Sequence, residues 1–254
     1  MKITSYDLIK LALAYKGEYH SIKKAIAQNK QVNVSIPAST EAITILDKEY
    51  PGCLLQSEQP PWVLFYKGNL SYLQMDKKVA IVGSRQPNDY ATTMTKKVVS
   101  HLNRDIAIVS GLAKGIDAIA HQAALTTHHC IAVLGCGIDR VYPYENKALY
   151  DKLIEDHLII SEYPLFTPGL KHHFIARNRI IAALSDQVYV MSAKAKSGTK
   201  ITVDFALALN KEIIVLPYNI DEASGVGCNE LIASGAQILT NDADLFIIKK
   251  DVVV

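Results

Sequence analysis

Short apolar runs alternate with longer amphipathic segments from residue 79 onward. The runs are Val79–Val82, Ile106–Val109, Ile131–Leu134, Leu158–Ile160, Val188–Met191 and Ile213–Leu216. Each run is continuously apolar and rich in β-branched residues, which is typical of strands buried on both faces of a parallel sheet. The segments between them, such as 118–125 and 202–209, are rich in Ala and Leu and predict helices. The alternation predicts an α/β fold with a doubly wound, mostly parallel sheet.

The first part of the chain follows a different pattern. Residues Tyr6–Ala14, Ser21–Gln28 and Thr40–Glu49 predict three short helices, the last one capped by Thr40. We therefore expect a small helical domain over residues 1–49 and a sheet domain over residues 50–254. The segment 60–66 predicts an additional strand leading into the sheet, and the apolar run 245–248 indicates a folded C-terminus.

Composition excludes several classes of protein. A net charge of +2 over 254 residues is too small to attract nucleic acid in bulk, so any anion site must come from local clustering. The four cysteines are far apart and form no CxxC pair, which favours a reducing compartment and argues against a zinc knuckle. The chain starts without a signal-peptide pattern, and no stretch approaches the ~20 apolar residues of a membrane helix. We expect a cytoplasmic protein without a membrane partner.

The segment 171–179 carries the strongest chemical signal. It combines Lys171, Phe174, Arg177, Asn178 and Arg179 with two histidines and no acidic residue. A single nucleic-acid strand is bound by cations against phosphate and by ring faces against bases, and this segment supplies both. The alternative is a solvated basic turn before a helix, with the phenylalanine packed inward.

Turn residues at the predicted strand ends form a second signal, because ligands of open α/β sheets bind at the carboxyl ends of the strands. Gly83, Ser84 and Arg85 follow the first run directly, so Arg85 is expected to point into the ligand crevice. The alternative for Arg85 is a surface position. The glycine-rich turns 110–117 and 135–137 match neither GxGxxG nor a P-loop, so no nucleotide cofactor is predicted.

Two further patterns give weaker evidence for a chemical site. Asp117 and His121 lie four residues apart on one predicted helix face, which permits an acid–base pair, but a helix-start carboxylate with a satisfied partner is the favoured interpretation. The histidines outside segment 171–179 and this pair have no carboxylate or cysteine companion at ligand spacing. We therefore predict no metal.

Several motifs together resemble the DNA processing protein A (DprA/Smf) family. They occur in the family's order and spacing between residues 50 and 239. The motifs are Val82–Arg85, Ser110–Asp117 with His121, Ile131–Gly137 with Tyr142-Pro143, Ser161–Pro164, and Phe174 followed by Arg177–Ile181.

The resemblance implies an extended Rossmann-like fold with a SAM-like N-terminal helical domain. It also implies a cytoplasmic homodimer that binds single-stranded DNA, protects incoming DNA in natural transformation and loads the recombinase RecA, without a catalytic reaction or cofactor. The residues it assigns to DNA are Gly83, Ser84, Arg85, Lys171, Phe174, Asn178 and Arg179, to which we add Arg177. It places Ile232 and Ile238 at the dimer interface.

An enzyme is the alternative interpretation. Nucleotide-cleaving phosphoribohydrolases of the cytokinin-activating (Lonely guy) type have a related sheet and require a Pro-Gly-Gly-x-Gly-Thr loop followed by a glutamate. The nearest match here is Lys196–Thr199, and the next acidic residue is Asp204. The missing glutamate makes this interpretation the weaker of the two.

Overall fold

A nine-stranded sheet with helices on both faces forms the centre of the computed structural model, which describes residues 3–240. The strands are β1 (Ala42–Thr44), β2 (Val63–Gly68), β3 (Lys78–Gly83), β4 (Ala107–Ser110), β5 (His129–Leu134), β6 (Leu158–Ser161), β7 (Gln187–Ser192), β8 (Glu212–Val215) and β9 (Gln237–Ile238). The helices are α1 (Ser5–Ala14), α2 (Tyr19–Ala27), α3 (Asp89–His101), α4 (Ile116–Ala124), α5 (Lys147–Asp156), α6 (Lys171–Leu184), α7 (Thr199–Ala208) and α8 (Val226–Ala233).

The strand order is β1-β2-β6-β5-β4-β3-β7-β8-β9. Only the pairs β1–β2 and β2–β6 are antiparallel, and the other six pairs are parallel. The six apolar runs of the sequence form most of strands β3 to β8, with Ile106 just before β4 and Leu216 just after β8, and the predicted additional strand is β2. The predicted α/β class with a doubly wound, mostly parallel sheet is confirmed.

The order of the strands reverses between β3 and β7. From β3 the chain adds β4, β5 and β6 on one side, and then returns through α6 to place β7 on the other side of β3. Such a switch point opens a crevice at the carboxyl ends of the strands, because the connections on its two sides run to opposite faces of the sheet. The loops after β3 and β7 border this crevice.

Two apolar layers hold the helices to the sheet. Alternate residues of β3 show the division, since Val79 and Ile81 belong to one layer and Ala80 and Val82 to the other. Helices α1 to α5 pack on the first layer, and α6, α7 and α8 pack on the second. This burial on both faces explains why the strands are apolar without interruption.

The N-terminal segment contains two of its three predicted helices. The predicted third helix, Thr40–Glu49, is wrong: Ala42–Thr44 is strand β1, which pairs with β2. The β-branched residues Ile43 and Thr44 suit a strand, and pairing with an available edge outweighs a weak helical preference. The hydroxyl of Thr40, predicted to cap that helix, has no hydrogen-bond partner within the described part of the chain.

The helices α1 and α2 share a core with the sheet. Leu8, Leu11 and Ile22 are almost fully buried and belong to the same apolar layer as Phe65 of β2. The division of the chain into residues 1–49 and 50–254 stays a prediction, as does the SAM-like character of the first part. The predicted folded segment 245–248 lies outside the described residues. Within residues 3–240, no helix has the length and apolarity to cross a membrane.

Candidate functional site

The turn after β3 is fixed against the start of α4. The backbone oxygen of Ser84 accepts a hydrogen bond from the backbone N–H of Ile116 at 3.1 Å. Gly115 precedes the helix with φ +78°, and a Cβ there would lie 2.3 Å from that same Ser84 oxygen. Only glycine fits this conformation and this close approach. The turn therefore presents the exposed side chain of Arg85 at the carboxyl end of the sheet.

Helix α6 supplies the facing wall. Lys171, Phe174 and Asn178 are separated by three and four residues, so they lie along one side of this helix. Together with the β3 turn they border an open groove, which we call the switch-point groove. Its lining includes Gly83, Ser84, Arg85, Lys114, Asp117, Tyr142, Lys171, Phe174, Arg177, Asn178, Lys194, Lys196 and Ser197–Thr199. The groove thus brings together seven of the eight residues expected to contact DNA.

An aromatic pair lies beside Arg85 in this groove. The Arg85 guanidinium carbon is 6.0 Å from the centre of the Phe174 ring. The Phe174 and Tyr142 rings have centres 5.1 Å apart and are tilted by 37°. Phe174 is half-buried, whereas 51% of Tyr142 is exposed. One cation and two rings therefore meet at one place, an arrangement suited to a base next to its phosphate.

Arg177 is a buried residue at the base of the groove. Its Nη1 donates a 2.6 Å hydrogen bond to the backbone oxygen of Val133, and its Nε donates to Asn178 Oδ1 at 3.1 Å. Burial raises the pKa of the Asp117 carboxyl, and the nearby Arg177 guanidinium opposes that rise. Gly111 makes room for both groups, because a Cβ there would lie 1.9 Å from Arg177 Nη1 and 2.4 Å from Asp117 Oδ2. Arg177 is thus a buried cation held rigidly under the groove.

Arg179 is the one predicted DNA residue that the structure separates from the others. Its guanidinium is buried and forms a 2.5 Å ion pair with Glu162. The same group donates to the backbone oxygens of Gln59 and Ala176. The position on α6 explains the difference, because Arg179 lies on the side that faces the β2 and β6 loops. The structure thus gives Arg179 a buried ion pair, and its assignment to DNA stays a prediction.

Three lysines of the groove were not assigned from the sequence. Lys114 follows β4, and Lys194 and Lys196 follow β7. Lys114 is partly neutralised by Glu145, whereas Asp117 is the one acidic residue in the groove lining within the described chain. These lysines could have been predicted from their positions after apolar runs, because parallel strands place the residues that follow them at a common edge of the sheet.

Asp117 and His121 each have their own structural neighbours, since Asp117 lies near the Arg177 guanidinium and His121 contacts the Gly111 carbonyl. His121 is fully buried, and its Nε2 donates a 2.9 Å hydrogen bond to the backbone oxygen of Gly111. Burial lowers the pKa of His121 to about 4. Its Nδ1 has no hydrogen-bond partner among the described residues. His121 therefore supports the loop under Arg177 as a neutral side chain.

The residues of the enzyme alternative lie only partly in the groove. Ser197, Gly198 and Thr199 line it, and Thr199 begins α7. Asp204, the next acidic residue, is exposed on α7 and is not part of the groove lining. The carboxylate that a phosphoribohydrolase places after its loop thus has no counterpart there.

The two residues expected at a dimer interface lie at the far end of the sheet. Ile232 on α8 is partly buried against the second apolar layer. Ile238 on β9 is 39% exposed, and β9 is the last strand of the described sheet. Both side chains leave apolar surface at one edge of the described sheet, and their assignment to a dimer interface stays a prediction.

The fold and the groove define an α/β protein with a basic, aromatic-lined cleft at the switch point of its sheet. The family model described as DNA recombination-mediator protein A matches residues 41–249. The DNA processing protein DprA of Streptococcus pneumoniae is 43% identical over 205 residues, covering 80% of this chain and 72% of that protein. The chain spans 51% of the Smf protein of Synechocystis, which is 40% identical.

Solved structures give the same result. The X-ray structure of DprA from Streptococcus pneumoniae superposes with a TM-score of 0.83 and 35% identity, over 96% of this chain and 98% of that one. DprA from Helicobacter pylori, whose structure addresses its binding of single-stranded DNA, has a TM-score of 0.74 and 32% identity over 82% and 95% of the chains. The chain belongs to the DprA/Smf family of recombination-mediator proteins.

Proposed function

We propose that the switch-point groove binds single-stranded DNA. The observation that carries the proposal is the position of Arg85 beside the Phe174 and Tyr142 rings, within a groove lined by further lysines. Cations beside exposed ring faces are the arrangement that holds a single strand by its phosphates and its bases. The single-stranded DNA binding described for the Helicobacter pylori relative supports the proposal.

In this proposal the charged residues of the groove bind phosphates and the aromatic residues bind bases. Arg85 and Lys171 are exposed and neutralise phosphates, and the N-terminus of α6 adds a favourable dipole. Phe174 and Tyr142 stack against bases. Arg177 contributes charge from below without leaving its hydrogen bonds to Val133 and Asn178. Phosphate contact and stacking carry little sequence information, so binding is nearly independent of sequence.

Binding to the DNA strand is the first part of a mediator role. In this proposal the protein acts without catalysis as a cytoplasmic homodimer that protects incoming DNA during natural transformation and loads RecA onto it. Membership of the recombination-mediator family supports this role. A dimer presents two grooves to one strand and raises avidity without new contacts.

Fluorescence anisotropy with a labelled single-stranded oligonucleotide and the matching duplex tests the proposal. The wild type should bind the single strand more tightly, with an affinity that falls as salt rises. The double variant Arg85→Ala, Lys171→Ala should lose at least about tenfold in single-strand affinity, since charged contacts contribute about 1.5–3 kcal/mol each. The matched control is Lys23→Ala, Lys152→Ala, which removes two exposed lysines outside the groove lining. Equal affinities of the two double variants would contradict the proposal.

A separate assay addresses the enzyme alternative. Incubation with nucleoside monophosphates should release no free base, because the groove lacks the glutamate that the phosphoribohydrolase reaction requires. Base release that disappears in Thr199→Ala would favour the enzyme instead.

A further inference from the structure

Two histidines and a glutamate meet outside the switch-point groove. Glu18 lies between α1 and α2, and His172 and His173 lie in the first turn of α6. Their ligand atoms are all within 4.8 Å of one another. Glu18 Oε1 is 3.0 Å from His173 Nε2 and 3.4 Å from His172 Nε2. We propose that Glu18, His172 and His173 form a binding site for a divalent transition-metal ion of the zinc type.

The distances from the Glu18 oxygen to the two histidine nitrogens fit such an ion. Tetrahedral zinc with bonds of about 2.0–2.1 Å to nitrogen and oxygen sets its ligand atoms about 3.3 Å apart. The two distances from the Glu18 oxygen lie on either side of this value. Two imidazoles and one carboxylate are also a known zinc ligand set that leaves a fourth position open for water. Small side-chain movements would therefore complete the coordination.

His173 is held in the orientation that a metal ligand needs. Its ring stacks on Tyr163, with centres 3.9 Å apart and planes 21° from parallel. Its Nδ1 lies 3.1 Å from the backbone oxygen of Pro168. In the tautomer with the proton on Nδ1, that N–H donates to the Pro168 carbonyl and the Nε2 lone pair is directed at Glu18, whereas in the other tautomer Nδ1 accepts from the Leu170 N–H at 3.5 Å and Nε2–H donates to Glu18. Ligating histidines are oriented in this way, by donating the second ring N–H to a backbone carbonyl.

The Glu18 carboxylate lies directly in front of His173 Nε2. In the tautomer with the proton on Nδ1, Nε2 is free to ligate, and a metal ion between it and Glu18 Oε1 takes the place of the proton that the other tautomer holds there. A metal ion also engages His172, whose Nε2 faces the same oxygen. The Glu18 side chain is available for this purpose because, although Glu18 is the N-cap residue of α2, it makes no capping hydrogen bond.

The backbone turn before Glu18 fixes the position of this residue. Lys16 and Gly17 both have positive φ, at 53° and 77°. A Cβ on Gly17 would lie 2.5 Å from the backbone oxygen of Glu162, so this turn packs closely against the loop after β6. The positive end of the α6 dipole and the neighbouring Lys171 disfavour a cation, which limits the affinity. The negative charge of Glu18 offsets part of this effect.

A bound ion would tie the turn between α1 and α2 to the first turn of α6. Lys171 and Phe174 of the switch-point groove lie in that same turn of α6. The ion would thereby restrict the motion of the groove wall. The metal site itself does not depend on DNA binding, and it is measured without DNA.

Titration of the metal-free full chain with Co²⁺ tests the site. Cobalt substitutes for zinc, and a tetrahedral site shows strong visible absorption. The wild type should saturate at one equivalent, without the near-ultraviolet band of thiolate ligands. That band identifies binding at cysteine, and three of the four cysteines are buried. Zn²⁺ in excess should remove the visible bands.

Two variants and one control make the test specific. His172→Ala removes a largely exposed ligand, and Glu18→Gln keeps the size of the side chain while removing its charge. Both should weaken Co²⁺ binding at least about tenfold. The control His20→Ala removes a histidine outside the cluster and should bind as the wild type does. Zn²⁺ should also raise the Tm of the wild type and the control but not of the two variants, because an ion bound only to the folded state stabilises it.

The proposal is overturned by three results. These are a wild type without saturable visible absorption, variants that bind as tightly as the wild type, or a His20→Ala control that loses binding. Near-ultraviolet circular dichroism of the metal-free variants should match the wild type, which separates loss of a ligand from loss of the fold.

Discussion

The Arg85 guanidinium carbon lies 6.0 Å from the centre of the Phe174 ring, although the two residues come from different elements. The β3 turn carries Arg85, and the first turns of α6 carry Phe174. The contact brings a phosphate-binding group and a stacking surface to the same end of one groove. The first two predictions separate these two roles.

Arg85→Ala should weaken binding of a single-stranded oligonucleotide by about 1–3 kcal/mol, the range for a charge-assisted contact. Anisotropy titrations at fixed salt measure the change. The Tm should stay at the wild-type value, because Arg85 is exposed. Unchanged affinity in this well-folded variant would remove Arg85 from the site.

Lys171→Glu and Phe174→Ala should differ in their response to salt. Lys171→Glu should lower both the affinity and the slope of log K against log salt, since fewer counterions are released. Phe174→Ala should lower the affinity by about 1–3 kcal/mol with the slope unchanged, because stacking is not an ionic interaction. If the two variants changed the slope equally, Phe174 would not act as a stacking surface.

Arg179→Met should affect folding far more than DNA binding. The substitution leaves the Glu162 carboxylate buried without its partner, which costs about 3–5 kcal/mol. Urea denaturation measures this loss. The double variant Arg179→Met, Glu162→Leu should recover much of it, because the uncompensated charge is gone. A fully stable Arg179→Met with weakened DNA binding would instead support its assignment to phosphate.

Ile238→Lys and Ile232→Lys should split the expected homodimer. In a two-fold dimer the same patch of each subunit forms the interface, so each substitution occurs twice. Two like charges would then face each other without solvent. Light scattering should give a dimer for the wild type and a monomer for the variants, with weaker DNA binding through lost avidity. Ile220→Lys is the control, since Ile220 is 95% exposed outside α8 and β9. A monomeric wild type would refute the interface.

Stability should fall between about pH 6.5 and pH 4 because of His121. Burial lowers its pKa from 6.5 to about 4 in the folded chain. In this pH window the unfolded chain binds a proton that the folded chain does not, so stability is intact above the window and decreases as the pH falls. The shift corresponds to at most about 3 kcal/mol.

His121→Gln should flatten this part of the pH profile, as measured by urea denaturation at several pH values. His128 and His157 retain some of the slope, because burial lowers their pKa values as well. A wild-type slope that His121→Gln leaves unchanged would show that the buried imidazole is not its source.

The pattern of apolar residues was enough to predict the parallel part of the sheet. Six continuous apolar runs became strands β3 to β8, because strands covered on both faces admit no regular polar position. Arg85 was predicted at the ligand edge of the sheet, since parallel strands direct their following loops to a common edge, and the structure lines one groove with Arg85 and Lys171. The motif spacing identified the family, which the matching family model confirms.

Three other features depend on contacts between elements that are distant in the sequence. Ala42–Thr44 forms strand β1 and not part of a helix because an edge of β2 is available to it, and no local pattern contains that edge. Arg179 and Arg177 are two residues apart on α6, yet one is paired with Glu162 and the other lies under the groove, because the helix turns them to different neighbours. Glu18 meets His172 and His173 across 154 and 155 residues of sequence. Contacts over such separations depend on the packing of whole elements, which residue patterns along the chain do not encode.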